Sequence, residues 1–192
     1  HEISRLIKEA KKPIVIFGQS ALSSKSSKYI FESMKSFLLN NEKITSDWNA
    51  LNVISENAST VGSYDLGIYQ FSNGSYNTLA GLENNNYELV FLLGQDSLKF
   101  KKNNEFIIYL GSHGDKGAEI ADIILPGAAY TEQNGYYTNL EGKLQKAYKS
   151  SYPPNEAKED WEIINEIAES INHRKLFNDK EELESSLLNY LN

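Results

Sequence analysis

The chain has no cysteine, a single methionine, and only two arginines (Arg5 and Arg174) among its 19 basic residues. Without thiols it forms no disulfide and holds no zinc–thiolate site or iron–sulfur cluster of its own. No apolar run approaches the ~18 residues that a membrane-spanning helix needs, so direct membrane insertion is not expected. Positive charge is scarce as well. A net charge of −7 leaves nothing to drive counterion release from phosphates, which argues against a general nucleic-acid binder. What is present is ordinary for a globular chain: 40% hydrophobic residues and 12 glycines in 192 residues. That excludes disorder and collagen-like repeats, and the length suffices to bury roughly 70% of the unfolded surface. Lysine in place of arginine, with abundant Asn, Ile, Tyr and Ser, fits a coding bias towards AT-rich codons. The chain starts at His1 and enters a helical pattern at once (Ile3, Leu6, Ile7, Ala10), which reads as a piece of a longer protein. No signal peptide is visible, so cytoplasmic exposure is the expectation.

The hydrophobic pattern predicts an α/β chain. Pro13 to Gly18 is an unbroken apolar run, as expected of a strand buried on both faces of a parallel sheet. Tyr29, Ile30, Phe31, Met34, Phe37 and Leu38 recur at helical spacing and stop at Asn40-Asn41. Lys43 to Thr45 suggests a short second strand, and Ala50 to Thr60 a second helix. From Gly62 to Asn86 turn residues dominate, with one helical turn expected around Thr78 to Leu82. Two further buried-strand runs follow, Glu88 to Gly94 and Glu105 to Gly111, then a shorter one, Ala121 to Leu125, ahead of Pro126. Three of the four runs end in glycine and lead into a polar loop, which suits a Rossmann-like parallel sheet with loops at the carboxyl ends of its strands. Beyond Tyr152-Pro153-Pro154, Asp160 to Ile171 and Lys180 to Leu191 read as helices. The expected organisation is a Rossmann-like α/β domain over 1–150 and a small helical carboxy-terminal extension over 151–192.

Chemistry is harder to find. Gly18-Gln19-Ser20 and Gly94-Gln95-Asp96-Ser97 are strand-end turns of the kind that cradle phosphates. Neither completes a dinucleotide fingerprint, and no Walker-A sequence occurs, so glycines that let a strand turn are the simpler account. Gly111-Ser112-His113-Gly114-Asp115 puts a histidine at a strand end, where a general base often sits. The other histidines, His1 and His173, stand at no ligand spacing from it, and a hydrogen-bonded loop residue explains His113 equally well. No G-x-S-x-G elbow surrounds any serine. Asp122, Glu132 and Glu141 could form a carboxylate site. The plainer expectation is that Asp122 anchors backbone or a nearby cation, and that Glu132 serves the turn at Asn134-Gly135. Asn57-Ala58-Ser59 and Asn73-Gly74-Ser75 match the glycosylation pattern, which carries no meaning without secretion. From chemistry alone, no residue is singled out as catalytic, cofactor-binding or metal-ligating.

One long segment carries more information. Ala121-Asp122, Leu125-Pro126, Glu132, Gly135, Asn139, Glu141-Gly142 and Gln145 keep the order and spacing of a signature of the molybdopterin oxidoreductase superfamily. The segment departs from it at Lys143, where the pattern usually has arginine. The wording Leu125-Pro126-Gly127-Ala128-Ala129-Tyr130-Thr131-Glu132 is most similar to the superfamily branch formed by the large iron–sulfur subunits of respiratory complex I. Asp47 to Val53, Ala58 to Gly67 and Ala157 to Ile164 extend the likeness over most of residues 12–170.

The resemblance implies a carboxy-terminal portion of such a subunit, whose amino-terminal region binds 2Fe-2S and 4Fe-4S clusters through many cysteines. In that branch the α/β region is a relic without molybdenum cofactor, so no catalytic, cofactor-binding or metal residue carries over to any position here. Its implied work is structural: packing against the cluster-bearing part of its own subunit and against other peripheral-arm subunits, on the cytoplasmic side of the bacterial inner membrane. The implied parent complex passes electrons from NADH through FMN and iron–sulfur centres to quinone, coupled to ion translocation. The main rival is a piece of a catalytic molybdopterin enzyme of the formate dehydrogenase or nitrate reductase type. A nucleotide-binding domain using the Gly18 loop and a pure partner-binding module are the others.

Overall fold

The computed structural model describes residues 1–68, 78–97, 100–114 and 116–191. Asp115 and the sequence Asn73-Gly74-Ser75 lie outside them. The chain divides into two compact units, His1–Val61 with Thr138–Lys143, and Gly62–Tyr137 with Leu144–Asn192.

In the first unit, α1 (Glu2–Glu9) precedes β1 (Val15–Phe17), the single-turn α2 (Gln19–Leu22), α3 (Ser27–Asn40) and β2 (Leu51–Val53). β1 and β2 pair in parallel, with Val15 opposite Leu51 and Phe17 opposite Val53. Phe17 meets Phe31 of α3 edge-on at 5.5 Å, and Leu38 and Ala50 are fully buried. The Trp48 indole donates to the Pro13 carbonyl at 2.8 Å and Lys43 Nζ to the Ala10 carbonyl at 2.7 Å, so the segment before β2 is tied to the approach to β1.

Two expectations are corrected here. The strand expected at Lys43 to Thr45 is reduced to a single antiparallel bridge, Ile44 to Asn49, because the Thr45 hydroxyl accepts the N–H groups of Asp47 and Trp48 and closes a tight turn. The helix expected over Ala50 to Thr60 is instead strand β2, a loop, and only then α4 (Thr60–Asp65). Leu51 and Val53 take the ladder offered by β1. Ser55 and Thr60 then bond each other and the Asn57 carbonyl, holding the loop open against helix.

The second unit holds α5 (Thr78–Glu83), then three parallel strands, β3 (Leu89–Leu93), β4 (Phe106–Gly111) and β5 (Ile123–Pro126), in that spatial order. The helix α6 (Lys116–Ile120) crosses from β4 to β5. Leu92, Ile107 and Tyr109 form the core, with Val90, Phe100, Ala118, Ile120 and Ala121 packed around them. After β5 come the two-stranded sheet of β6 (Gly135–Thr138) and β7 (Leu144–Ala147), then α7 (Asp160–Asn172) and α8 (Lys180–Leu191).

Strand β3 is not buried on both faces as its unbroken apolar run suggests, whereas in β4 the adjacent Tyr109 and Leu110, on opposite faces, are both buried. Leu89, Phe91 and Leu93 of β3 point away from the core, and all three are more than two-fifths exposed. Helix α8 buries none of its residues and is fastened by charge. Lys146 Nζ pairs with Glu184 at 2.5 Å, the Tyr136 hydroxyl donates to the same carboxylate, and Lys180 pairs with the buried Glu159, which also accepts the Trp161 indole N–H at 3.2 Å.

Asp122, just before β5, has the anchoring role expected of it. Its Oδ2 accepts Lys102 Nζ at 2.6 Å and the Ile107 backbone N–H at 2.8 Å, and these bonds hold its pKa below the ordinary value of 3.8. Glu184 is lowered likewise, first by Lys146. A lowered folded pKa means stability that is complete above the unfolded value and is lost as pH falls through the folded one. We expect Asp122→Asn to flatten the acid limb of stability below about pH 4 and to leave the slope near neutrality unchanged. Denaturant midpoints of the two proteins measured across that range check this, and parallel acid limbs would sink it.

Candidate functional site at the strand ends

The carboxyl ends of β4 and β5 open into a cleft of about 560 Å³ lined by Gly111, Ser112, His113, Pro126, Gly127, Ala129, Glu132 and the segment Pro154–Ala157. This is where a doubly wound sheet places its ligands. Each wall has a local cause. Gly111 ends β4 because an added Cβ would stand 2.2 Å from the Tyr109 hydroxyl. Gly127 follows Pro126 because its Cβ would meet Asp160 Oδ1 at 2.8 Å. Asn155 adopts a left-handed φ of 49°, a conformation that asparagine tolerates, and turns the far wall into α7.

His113, the strand-end histidine, is exposed, with Nδ1 2.9 Å from the Ser112 hydroxyl, while its carbonyl accepts the Tyr109 hydroxyl. No carboxylate among the described residues bonds its ring, so the general-base reading gains no partner. His173 is the left-handed C-cap of α7, and His1 precedes α1. Of the three carboxylates considered together, only Glu132 lines the cleft. Asp122 is paired at the start of β5, and Glu141 is exposed in the β6–β7 turn. The role expected for Glu132 is also corrected. It accepts the Ala129 N–H at 2.9 Å and so closes the turn behind it, whereas Asn134 serves the turn ahead by accepting the Lys149 N–H at 2.8 Å.

The loop after β5 has the composition of an anion cradle, yet its first three N–H groups already have acceptors. Gly127 donates to the Gly111 carbonyl at 3.0 Å, Ala128 to the Lys158 carbonyl at 2.8 Å, and Ala129 to Glu132. Glu132 and Glu156 line the cleft, and Asp160 touches its floor at Gly127 with a pKa raised by burial and then by the charge of Glu159. No lysine or arginine lines it among the described residues. A phosphate or pterin diphosphate placed here would meet like charge and find the first three amides after Pro126 already engaged. The residues present do not fit the nucleotide end of a molybdopterin cofactor.

The other two strand-end turns fare similarly. At Gly94–Ser97 the Gln95 side-chain oxygen takes both the Ser97 N–H and its hydroxyl, and one buried carboxylate oxygen of Asp96 has no partner among the described residues, which repels an anion. At Gly18 the carbonyl accepts the Ala21 N–H at 3.1 Å, and the helix that follows is a single turn. Neither φ nor crowding demands glycine there. Among the described residues, no group of three or more His, Asp or Glu is placed to hold a metal ion. The buried Glu159 junction with Lys180, Lys149 and Trp161 is not legible in the sequence, since its members are spread over 32 positions with no shared motif.

Replacing Glu132 with alanine removes the acceptor for Ala129. We expect a loss of about 1 kcal/mol, the usual worth of such a bond, with the loop after β5 loosened. Faster amide exchange at Ala129 with little change elsewhere checks this; unchanged exchange there would show that Glu132 is not the closure.

An α/β sheet with this strand-end loop, and the signature that builds it, defines a class. The chain belongs to the molybdopterin oxidoreductase family, whose profile matches residues 1–170. Within that class it is similar to the NADH-ubiquinone oxidoreductase 75 kDa subunit of Reclinomonas americana, 35% identical over 189 residues that cover 98% of this chain and 27% of that protein. It is likewise similar to an NADH-quinone oxidoreductase subunit of Rickettsia typhi, 41% identical over 169 residues, or 88% of this chain and 24% of the relative. The chain thus spans about a quarter of the length of the curated relatives it matches.

Proposed function

We propose that this chain is a structural portion of the large iron–sulfur subunit of a respiratory NADH:quinone oxidoreductase and carries no catalytic residue itself. The observation that carries the reading is the identity of 35–41% sustained over 88–98% of the chain against subunits of NADH-ubiquinone and NADH-quinone oxidoreductases. The strand-end geometry supports it. The loop that would face a cofactor closes on the protein's own carbonyls and on Glu132, and the cleft is acidic. The residues of the signature do architectural work: Pro126 ends the ladder, Gly127 admits Asp160, and Asn139 accepts the Glu141 and Lys143 N–H groups to shape the β6–β7 turn.

On this reading the iron–sulfur clusters belong to another part of the same subunit. The partners are that part and neighbouring subunits of the peripheral arm, and the location is the cytoplasmic side of the bacterial inner membrane. No helix among the described residues is long and apolar enough to cross a membrane, in keeping with that place. Electron transfer from NADH through FMN and iron–sulfur centres to quinone, with ion translocation, is the activity of the whole assembly.

Metal analysis of the intact parent protein, purified without oxygen, tests the reading. Iron without molybdenum is expected. Stoichiometric molybdenum would overturn it in favour of a catalytic molybdopterin enzyme of the formate dehydrogenase or nitrate reductase type.

A further inference from the structure

Helices α7 and α8 follow one another in the chain, yet they are held by different means. α7 buries Ile163 and Asn165, and its N-cap Glu159 forms a capping box with Glu162. α8 buries none of its residues, and Leu183, Leu187 and Leu191 are no more than half-buried. The start of α8 is self-contained. Asp179 Oδ1 accepts the Glu182 N–H at 2.9 Å, and Glu182 accepts the Asn178 N–H and side-chain amide at 2.8 Å each. The link before it belongs to α7 instead, because the buried Asn165 grips Leu176 and Phe177. What is pinned to α7 and what travels with α8 therefore divide between Phe177 and Asn178.

Charge fastens α8 to its surroundings. Lys180 Nζ reaches the Glu159 carboxylate and, at 3.1 Å, the Asn134 carbonyl. Glu184 takes Lys146 Nζ at 2.5 Å and the Tyr136 hydroxyl at 3.3 Å. The Lys146, Glu184 and Lys180 side chains are 29%, 21% and 24% exposed, and ion pairs this near to water hold weakly.

We infer that α8 is a strap: it opens from β6–β7 as a unit, hinged between Phe177 and Asn178, while α7 stays in place. Two features separate the opening from global unfolding. Release of Lys180 leaves Glu159 its capping box, the Trp161 indole and Lys149 at 3.8 Å, so the amino end of α7 is kept. A helix of 12 residues is marginal in water by itself, so α8 loses its backbone hydrogen bonds when it lifts. Lifting frees Lys146 and Tyr136 from Glu184 and the Asn134 carbonyl from Lys180, which turns a closed edge of the sheet into an open one. Segments that move in this way belong to the low-stability end of a structure, with few buried contacts, as here.

Native-state hydrogen exchange on the full-length protein tests the strap before any substitution is made. Amides of residues 181–191 are expected to exchange at least about tenfold faster than those of 163–172. Low concentrations of urea should accelerate α7 more steeply than α8, because a local opening exposes little surface. Lys146→Met then removes one fastening that touches no residue of α7. It should speed exchange in α8 about fivefold, the factor that one such pair is worth, and leave α7 unchanged. Equal rates and equal urea slopes in the two helices would overturn the strap. So would an α8 that Lys146→Met leaves unmoved, or a variant in which both helices accelerate together.

Discussion

Tyr109→Ala is expected to destabilise the chain by about 3–5 kcal/mol, the range for removing a fully buried aromatic ring. The ring is 1% exposed and central to the Leu92–Ile107–Tyr109 core. It also shapes what surrounds it. An alanine Cβ at Gly111 would fall 2.2 Å from its hydroxyl, and one at Gly117 would fall 2.6 Å from the ring and 3.0 Å from the Gln95 carbonyl. Two glycines thus make the slot that the ring fills, so its loss leaves a cavity bounded by backbone that cannot collapse. Tyr109→Phe keeps the ring and loses the bond to the His113 carbonyl, and should cost about 1 kcal/mol or somewhat more. Equilibrium denaturation of the three proteins gives the comparison. Equal losses for the two variants would mean that the hydroxyl, not the ring, holds this end of the sheet.

The second large effect is expected at Asn165. Its side chain is almost completely buried and clamps the link between α7 and α8: Oδ1 accepts the N–H groups of Leu176 and Phe177 at 2.7 and 3.1 Å, and Nδ2 donates to the Phe177 carbonyl at 2.8 Å. Asn165→Ala strands all three backbone groups and should cost about 2–3 kcal/mol. Asn165→Asp keeps the acceptor but faces the Phe177 carbonyl with a second oxygen, so it too should be clearly destabilised. The diagnostic sign is local: amide exchange at Leu176 and Phe177 should accelerate ahead of the rest of α7. Exchange that rises uniformly instead would count against a clamp at this position.

Much of this architecture is legible in the sequence. The apolar runs at Leu89–Leu93 and Phe106–Gly111 become parallel neighbours, and Trp161, Ile163, Ile164 and Ile167 mark α7 by their spacing. The failures have physical causes. Ala50 to Thr60 contains enough apolar positions to imitate a helix, but a free ladder beside β1 and the hydroxyls of Ser55 and Thr60 decide otherwise. The unbroken runs suggest burial on two faces because composition reports what a strand is suited to, whereas cover depends on which neighbours are at hand. At the candidate site, Gly111, His113, Gly127 and Glu132 are visible as loop residues. That three successive amides after Pro126 already have acceptors is not visible, since those acceptors come from β4, from Lys158 and from a side chain three residues on.

Those occupied amides have a thermodynamic consequence. A ligand stabilises a protein only by the free energy with which it binds the native state over the unfolded one. The three amides held by the Gly111 and Lys158 carbonyls and by Glu132 offer an anion no such difference. On the reading proposed above, the loop after β5 therefore reaches its final shape whatever the supply of phosphate or pterin.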